Sequence, residues 1–250
     1  MLKAYIDESY GDHVFTLGGW LAQAEELDRL GSQWEKRIYF ENRRLERQGR
    51  RILSRYHASD CSNLQNEYAG WTVPEQVQHA RALLQIIVRR KMVAVGCSVS
   101  IADLLEVFPE NADDYIRQAY YLCLKNLMVQ LGHIMQRFAP NEKITIFHDW
   151  TDHNAAILTA FEATIGVQQW VSRKFYTTIA PLHWQDCVQL QPTDLMAYEI
   201  YKATEAQRHT GRKMRRFLRE LLGNNAQIAA KYFPKSVLEK IRDGLPLKTD

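Results

Sequence analysis

Strand-like and helix-like periodicities alternate along all 250 residues, and this interleaving narrows the fold more than any other feature of the chain. Strands that take turns with helices build a sheet with helices packed on it, because each helix must bury its apolar stripe against a flat partner. The expected class is therefore α/β, a mixed sheet flanked by helices. Strands are expected at 2–9, 13–21, 92–101, 143–150 and 172–181, with Tyr10-Gly11-Asp12 turning the first two into an antiparallel hairpin. Gly18 and Gly19 within the second strand signal either a bulge or a close backbone approach. Helices are expected at 25–49, where Leu27, Leu30, Trp34 and Ile38 repeat at three and four, at 74–90 behind Pro74-Glu75, and at 111–138, 154–166 and 190–206. Residues 50–73 look irregular, and 207–250 reads as a basic extension with helical stretches at 226–233 and 235–243.

No apolar run approaches the ~18 residues of a membrane span, and the N-terminus has no basic region followed by an apolar stretch, so a cytoplasmic protein without membrane contact is expected. Cys61, Cys97, Cys123 and Cys187 are scattered with no CxxC pair. Neither a zinc knuckle nor a disulfide framework is indicated, and the thiols are expected reduced and mostly buried. The formal net charge of +3 is small, but it is unevenly spread. Lys36, Arg37, Arg43, Arg44, Arg47, Arg50, Arg51 and Arg55 form one basic run, and Arg208, Arg212, Lys213, Arg215, Arg216 and Arg219 a second. Such runs are commonly solvated helix faces. The guanidinium fork also matches phosphate, which makes nucleic acid, DNA or RNA, the expected partner.

The first strand carries the chemistry. Ala4-Tyr5-Ile6 leads into Asp7-Glu8, and Ile144-Thr145-Ile146-Phe147-His148 leads into Asp149, so two apolar strands run into carboxylates. Alternation places Asp7 on the face opposite Glu8, so one of the two is expected at any given site, and Asp7 is the choice; Glu8 is expected at the surface or as a cap. If the two strands are neighbours, Asp7 and Asp149 meet at one sheet edge. Asp194, in Gln191-Pro192-Thr193-Asp194-Leu195-Met196-Ala197-Tyr198, shares a helix face with Gln191 and Tyr198, while Glu199 is rotated away. Three clustered carboxylates repel unless a cation intervenes, and Mg²⁺ or Mn²⁺ prefers oxygen ligands and can serve phosphoryl displacement. Taken singly, each Asp is as well explained as a turn or cap residue.

Tyr5-Ile6-Asp7-Glu8-Ser9, the His57-Ala58-Ser59-Asp60 cluster, the strand into Asp149 and Leu190-Gln191-Pro192-Thr193-Asp194-Leu195-Met196-Ala197-Tyr198 together resemble the DUF3800 family over about residues 3–205. The resemblance implies a ribonuclease H-like domain over 1–206, with 207–250 as a basic helical extension of it, and a divalent-metal nuclease or strand-transferring enzyme. It places Asp7, Asp149 and Asp194 as the catalytic acids and metal ligands. His57 and Asp60 match the polar cluster between them, with His57 as a proton shuttle or Asp60 as a fourth metal ligand, against a plain hydrogen-bonded loop. Tyr10-Gly11-Asp12 and Pro192-Thr193 depart from the family pattern without removing an acid. Two other functions remain open: a catalytically inactive nucleic-acid- or protein-binding module, and a phosphatase of small nucleotides. A homodimer is also left open. Trp150 and Trp184 lie beside the candidate acids, and Asp152 and His153 are expected to cap the helix after them.

Overall fold

The computed structural model describes residues 1–211, 215–223 and 227–244. Its centre is a hairpin of β1 (Leu2–Tyr10) and β2 (Val14–Gln23), closed by the expected turn, where the Gly11 amide donates to the Val14 carbonyl at 3.2 Å. β3 (Val93–Ser100) extends the meander antiparallel to β2, and β4 (Ile144–Asp149) lies parallel on the other side of β1. β5 (Tyr176–Leu182) follows parallel beyond β4. The outermost strand, β6 (Gln227–Phe233), pairs parallel with β3 and completes a six-stranded mixed sheet in the order β5-β4-β1-β2-β3-β6.

β6 corrects the expectation of a helix at 226–233; Ala226 itself lies outside the described residues. A run such as Gln227-Ile228-Ala229-Ala230 carries no strong local preference, and the free edge of β3 supplies the partner that selects a strand. The segment after Gln207 is thus joined to the sheet, with one strand between its helices.

Helices cover both faces. On one, α5 (Tyr115–Phe138) packs across β2 and β3 with α6 (Asn154–Ile165) beside it, and α4 (Ile101–Val107) meets α9 (Lys235–Arg242). Ile6, Phe15, Leu17, Val95 and Val99 point into this core. On the other face, α7 (Leu190–Glu205) lies directly on β1, β2 and β3, flanked by α1 (Ala24–Arg47), α3 (Val73–Ile87) and α8 (Arg216–Gly223). Here Tyr5, Trp20, Leu27, Leu30 and Trp34 are buried. Thr72 and Glu75 form a capping box at the start of α3, with Pro74 in its first turn, and Pro192 sits in the first turn of α7, where its missing N–H costs no helical bond. His153 occupies the cap position of α6 but makes no side-chain cap, and Asp152 is not the cap residue either; Asn154 instead accepts from the Thr151 amide.

The glycines in the meander mark close approach, not a bulge, since β1 and β2 stay in register throughout. A Cβ on Gly18 would stand 2.9 Å from the Ala197 Cα, and one on Gly96 2.5 Å from the Ile200 Cδ1. This seam lets α7 sink onto the sheet. The first turns of α7 are thereby brought against the end of β1.

All four cysteines are free and buried. No helix among the described residues is long and apolar enough to cross a membrane.

Candidate functional site

The parallel ladder between β1 and β4 ends at Ile6 and His148, and the next residue on each strand is a candidate acid, Asp7 and Asp149. β1 runs on to Tyr10 against β2, so among the described residues no strand pairs with β1 beyond Ile6 on the β4 side. A pocket of about 150 Å³ fills that gap, lined by Asp7, Glu8, Asp149 and Asp194 together with Arg55 and His57. The three aspartates expected to meet do so, arriving from β1, β4 and α7.

Glu8 corrects the sequence expectation. It is half-buried and lines the same pocket as Asp7, at the edge where β4 has ended, while its carboxyl also interacts with Tyr120 of α5. Strand alternation separates the two side chains across a sheet, but not at the point where the sheet loses its next strand. The Glu8 amide also donates to the Asp7 Oδ1 at 2.8 Å.

The loop before α2 (Ala58–Asn63) forms the opposite wall. Two side chains of α7 hold it. Gln191 accepts from the Tyr56 amide at 2.9 Å and from the Trp34 indole at 3.1 Å, and Asp194 accepts from the Ala58 amide at 2.7 Å. Gln191 and Asp194 thus share the face that periodicity assigned to them. Asp60 is not brought into the pocket: its carboxylate accepts from the Asn66 amide group at 2.9 Å and stands 2.9 Å from the His57 Nδ1. Despite this approach, the His57 Nδ1 makes no hydrogen bond among the described residues.

The electrostatics are those of crowded acids. Asp7 is only 8% exposed, and burial, followed by the charges of Glu8, Asp194 and Asp149, holds its carboxyl well above the usual range. Burial pushes Asp194 up to about 6 against the pull of His57, the Ala58 amide and Arg55. Asp149 and Glu8 are raised as well, again chiefly by burial. Each acid thus favours a proton or a counter-charge.

Arg55 is the site residue that spacing did not single out, although it ends the first basic run one residue before Tyr56-His57. Its guanidinium lies 4.5 Å from the Trp184 ring, which lines the pocket too. Trp150 is instead exposed and stacked on His183 at 5.0 Å. Much of the remaining basic run serves the fold: Arg37 and Arg44 pair with buried Glu41, Arg44 and Arg50 with Glu75, and Arg43 with Glu46. In the second cluster Arg215 pairs with Glu199, and Arg208 lies 4.5 Å from the Tyr232 ring. Arg212 and Lys213 lie outside the described residues. A wider groove of about 420 Å³ adjoins the acids, lined by His57, Tyr198, Tyr201 and Lys202.

Among the described residues no group of three or more histidines, cysteines, aspartates or glutamates is arranged to hold a metal ion. No protein-family model, curated protein or solved structure matches the chain.

Proposed function

We propose that this chain is a divalent-metal-dependent nuclease that hydrolyses phosphodiester bonds of nucleic acid in the cytoplasm, on a ribonuclease H-like core of the kind the DUF3800 resemblance implies. One observation carries the reading: Asp7, Asp149 and Asp194, from three distant stretches of chain, line one pocket with their carboxyls raised above the ordinary range. The mixed sheet with helices on both faces is the coarse architecture such a core requires.

The donor set suits Mg²⁺ or Mn²⁺ in chemistry, being all oxygen and short of positive charge, although the carboxylates as they lie do not gather about one point. Asp7, Asp149 and Asp194 would hold the ion, with Glu8 as a further oxygen donor. When bound, it supplies positive charge for phosphate oxygens and makes water a stronger acid. Arg55 places a fixed positive charge on the pocket wall for a substrate phosphate, and Trp184 backs it. His57, on the pocket wall with its Nδ1 beside Asp60, is placed to carry a proton to or from the reacting oxygens. Lys202, on the adjoining groove, is paired with Glu205 at 2.8 Å, so Arg55 carries the phosphate contact in this reading.

The arrangement of the acids short of a metal cage favours one second reading, a catalytically inactive module that binds nucleic acid or protein. One assay separates the two. Single-stranded, duplex and hybrid substrates are incubated with the protein and with Asp7→Asn, in Mg²⁺, Mn²⁺ or chelator. The nuclease reading expects metal-dependent cleavage that Asp7→Asn abolishes while its melting transition persists. Cleavage retained by Asp7→Asn, or none by the parent with either metal, sinks it.

A further inference from the structure

A second pocket, of about 220 Å³, lies behind the wall of the acid site. Tyr56 lines both pockets, and Tyr198 lines this one and the groove beside the acids. Its walls are mainly apolar and aromatic, from Tyr56, Tyr198, Phe217 and Ala80. Ser62, Gln76, Arg81 and Glu220 also line it, and so does Glu199, 2% exposed, whose Oε1 meets the Arg215 guanidinium at 3.2 Å. The other oxygen, Oε2, is buried with no hydrogen-bond partner among the described residues. Arg215 in turn lies 5.1 Å from the Tyr198 ring.

A buried carboxylate oxygen without a donor is expensive, which is why such groups are nearly always satisfied in folded proteins. Glu199 plays no part in the acid site, and burial pushes its carboxyl up to about 7 against the pull of Arg215. The pocket therefore ends in a buried carboxylate oxygen without a donor, next to a guanidinium and beside aromatic walls. Its ligand needs a flat apolar body with an N–H donor beside an acceptor on one edge. An unpaired nucleobase has this form: its faces stack on aromatic rings, and its edge pairs donors with acceptors.

We infer that this pocket is a base-binding subsite, in which an unpaired nucleobase flanking the phosphate at the acid site meets Glu199 and Arg215 with its edge. The inference rests on the nucleic-acid reading of the acid pocket. It makes single-stranded nucleic acid the substrate class, since a paired base has its edge occupied and its faces stacked. Glu199 then selects for bases that offer an N–H to Oε2, and the shared Tyr56 wall couples base choice to the position of the phosphate.

The test is binding, measured without added metal so that cleavage does not intervene. Fluorescently labelled pentanucleotides of each single base, and an abasic chain of equal length, are titrated with the protein, with Glu199→Gln and with Ala80→Phe. Glu199→Gln keeps the side-chain shape, and Ala80→Phe obstructs the pocket without touching an acid. The parent is expected to bind at least one base composition about tenfold tighter than the abasic chain, with both variants losing that preference. Melting curves identify a variant that does not fold, and the other variant then decides. An abasic chain bound as tightly as the best pentanucleotide, or a folded variant that keeps the parent's preference, overturns the inference. Base preference without cleavage in any metal leaves the subsite standing and removes the nuclease chemistry; no binding of any chain by the parent overturns the inference, and the nuclease reading is then decided by the cleavage assay alone.

Discussion

Asp194→Asn is expected to make the protein more stable at neutral pH, at the expense of the site. Burial lifts the Asp194 carboxyl from 3.8 to about 6, even with His57, the Ala58 amide and Arg55 acting in the opposite direction. Between those two values the folded state holds a proton that the unfolded chain has released, so stability falls as pH rises through the interval. The loss is complete above about pH 6 and absent below 3.8, and at ~1.4 kcal/mol per pH unit it amounts to roughly 3 kcal/mol. Asparagine has the same shape and keeps an oxygen for the Ala58 amide, 2.7 Å away. It carries no charge to desolvate and relieves the repulsion on Asp7. At pH 7.5 the variant should melt higher by about 4–12 °C, which is ~2–3 kcal/mol for a chain of this length. At pH 4 the two curves should nearly coincide. Thermal unfolding followed by circular dichroism at both pH values measures this directly. An unchanged or lower melting temperature at pH 7.5, or a gain that persists undiminished at pH 4, refutes the argument. Excess Mn²⁺ should narrow the gap by stabilising the parent alone, because a ligand of the native state adds stability by mass action.

Two further substitutions probe the scaffold. Gln191→Leu leaves the Trp34 indole and the Tyr56 amide without their acceptor, at about 1–3 kcal/mol for each buried donor, and should speed tryptic cleavage after Arg55; an unchanged digestion pattern would show that Gln191 does not hold the loop. Gly18→Ala puts a methyl 2.9 Å from the Ala197 Cα, so α7 must shift; a loss of about 1–3 kcal/mol is expected in urea unfolding, with weaker oligonucleotide binding, and parental stability would refute the close-approach role.

The elements were legible where local pattern and tertiary demand agree. Leu27, Leu30, Trp34 and Ile38 repeat at helical spacing and are buried in α1, and the strand runs into Asp7 and Asp149 lie where their alternation and apolar content put them. Asp7 and Asp149 were visible for a related reason, since an acid after an apolar run is a local anomaly that needs no knowledge of what lies opposite; Asp194 was reached from its helix face, and His57 from the polar cluster that the resemblance matched. Glu8 was missed by a rule that is sound inside a sheet and fails at its broken edge. β6 was missed because its residues are nearly indifferent between helix and strand, and the edge of β3 that selects the strand is some 130 residues away in sequence.

Residue order alone therefore specifies the alternation of strands and helices and the acids that follow two apolar strand runs, because periodicity and desolvation act over a few neighbouring positions. The partners of those acids are a matter of long-range assembly. The glycine seam under α7, the early end of the β1–β4 ladder and the ion pairs that absorb most of the first basic run bring together groups far apart in the chain. Arg55 faces Asp149 and Asp194, and Glu199 keeps an oxygen unsatisfied, only because packing removes water and leaves a limited set of neighbours within reach. Burial then converts ordinary carboxylates into perturbed ones, and no pattern of adjacent residues records how much water a folded chain will exclude.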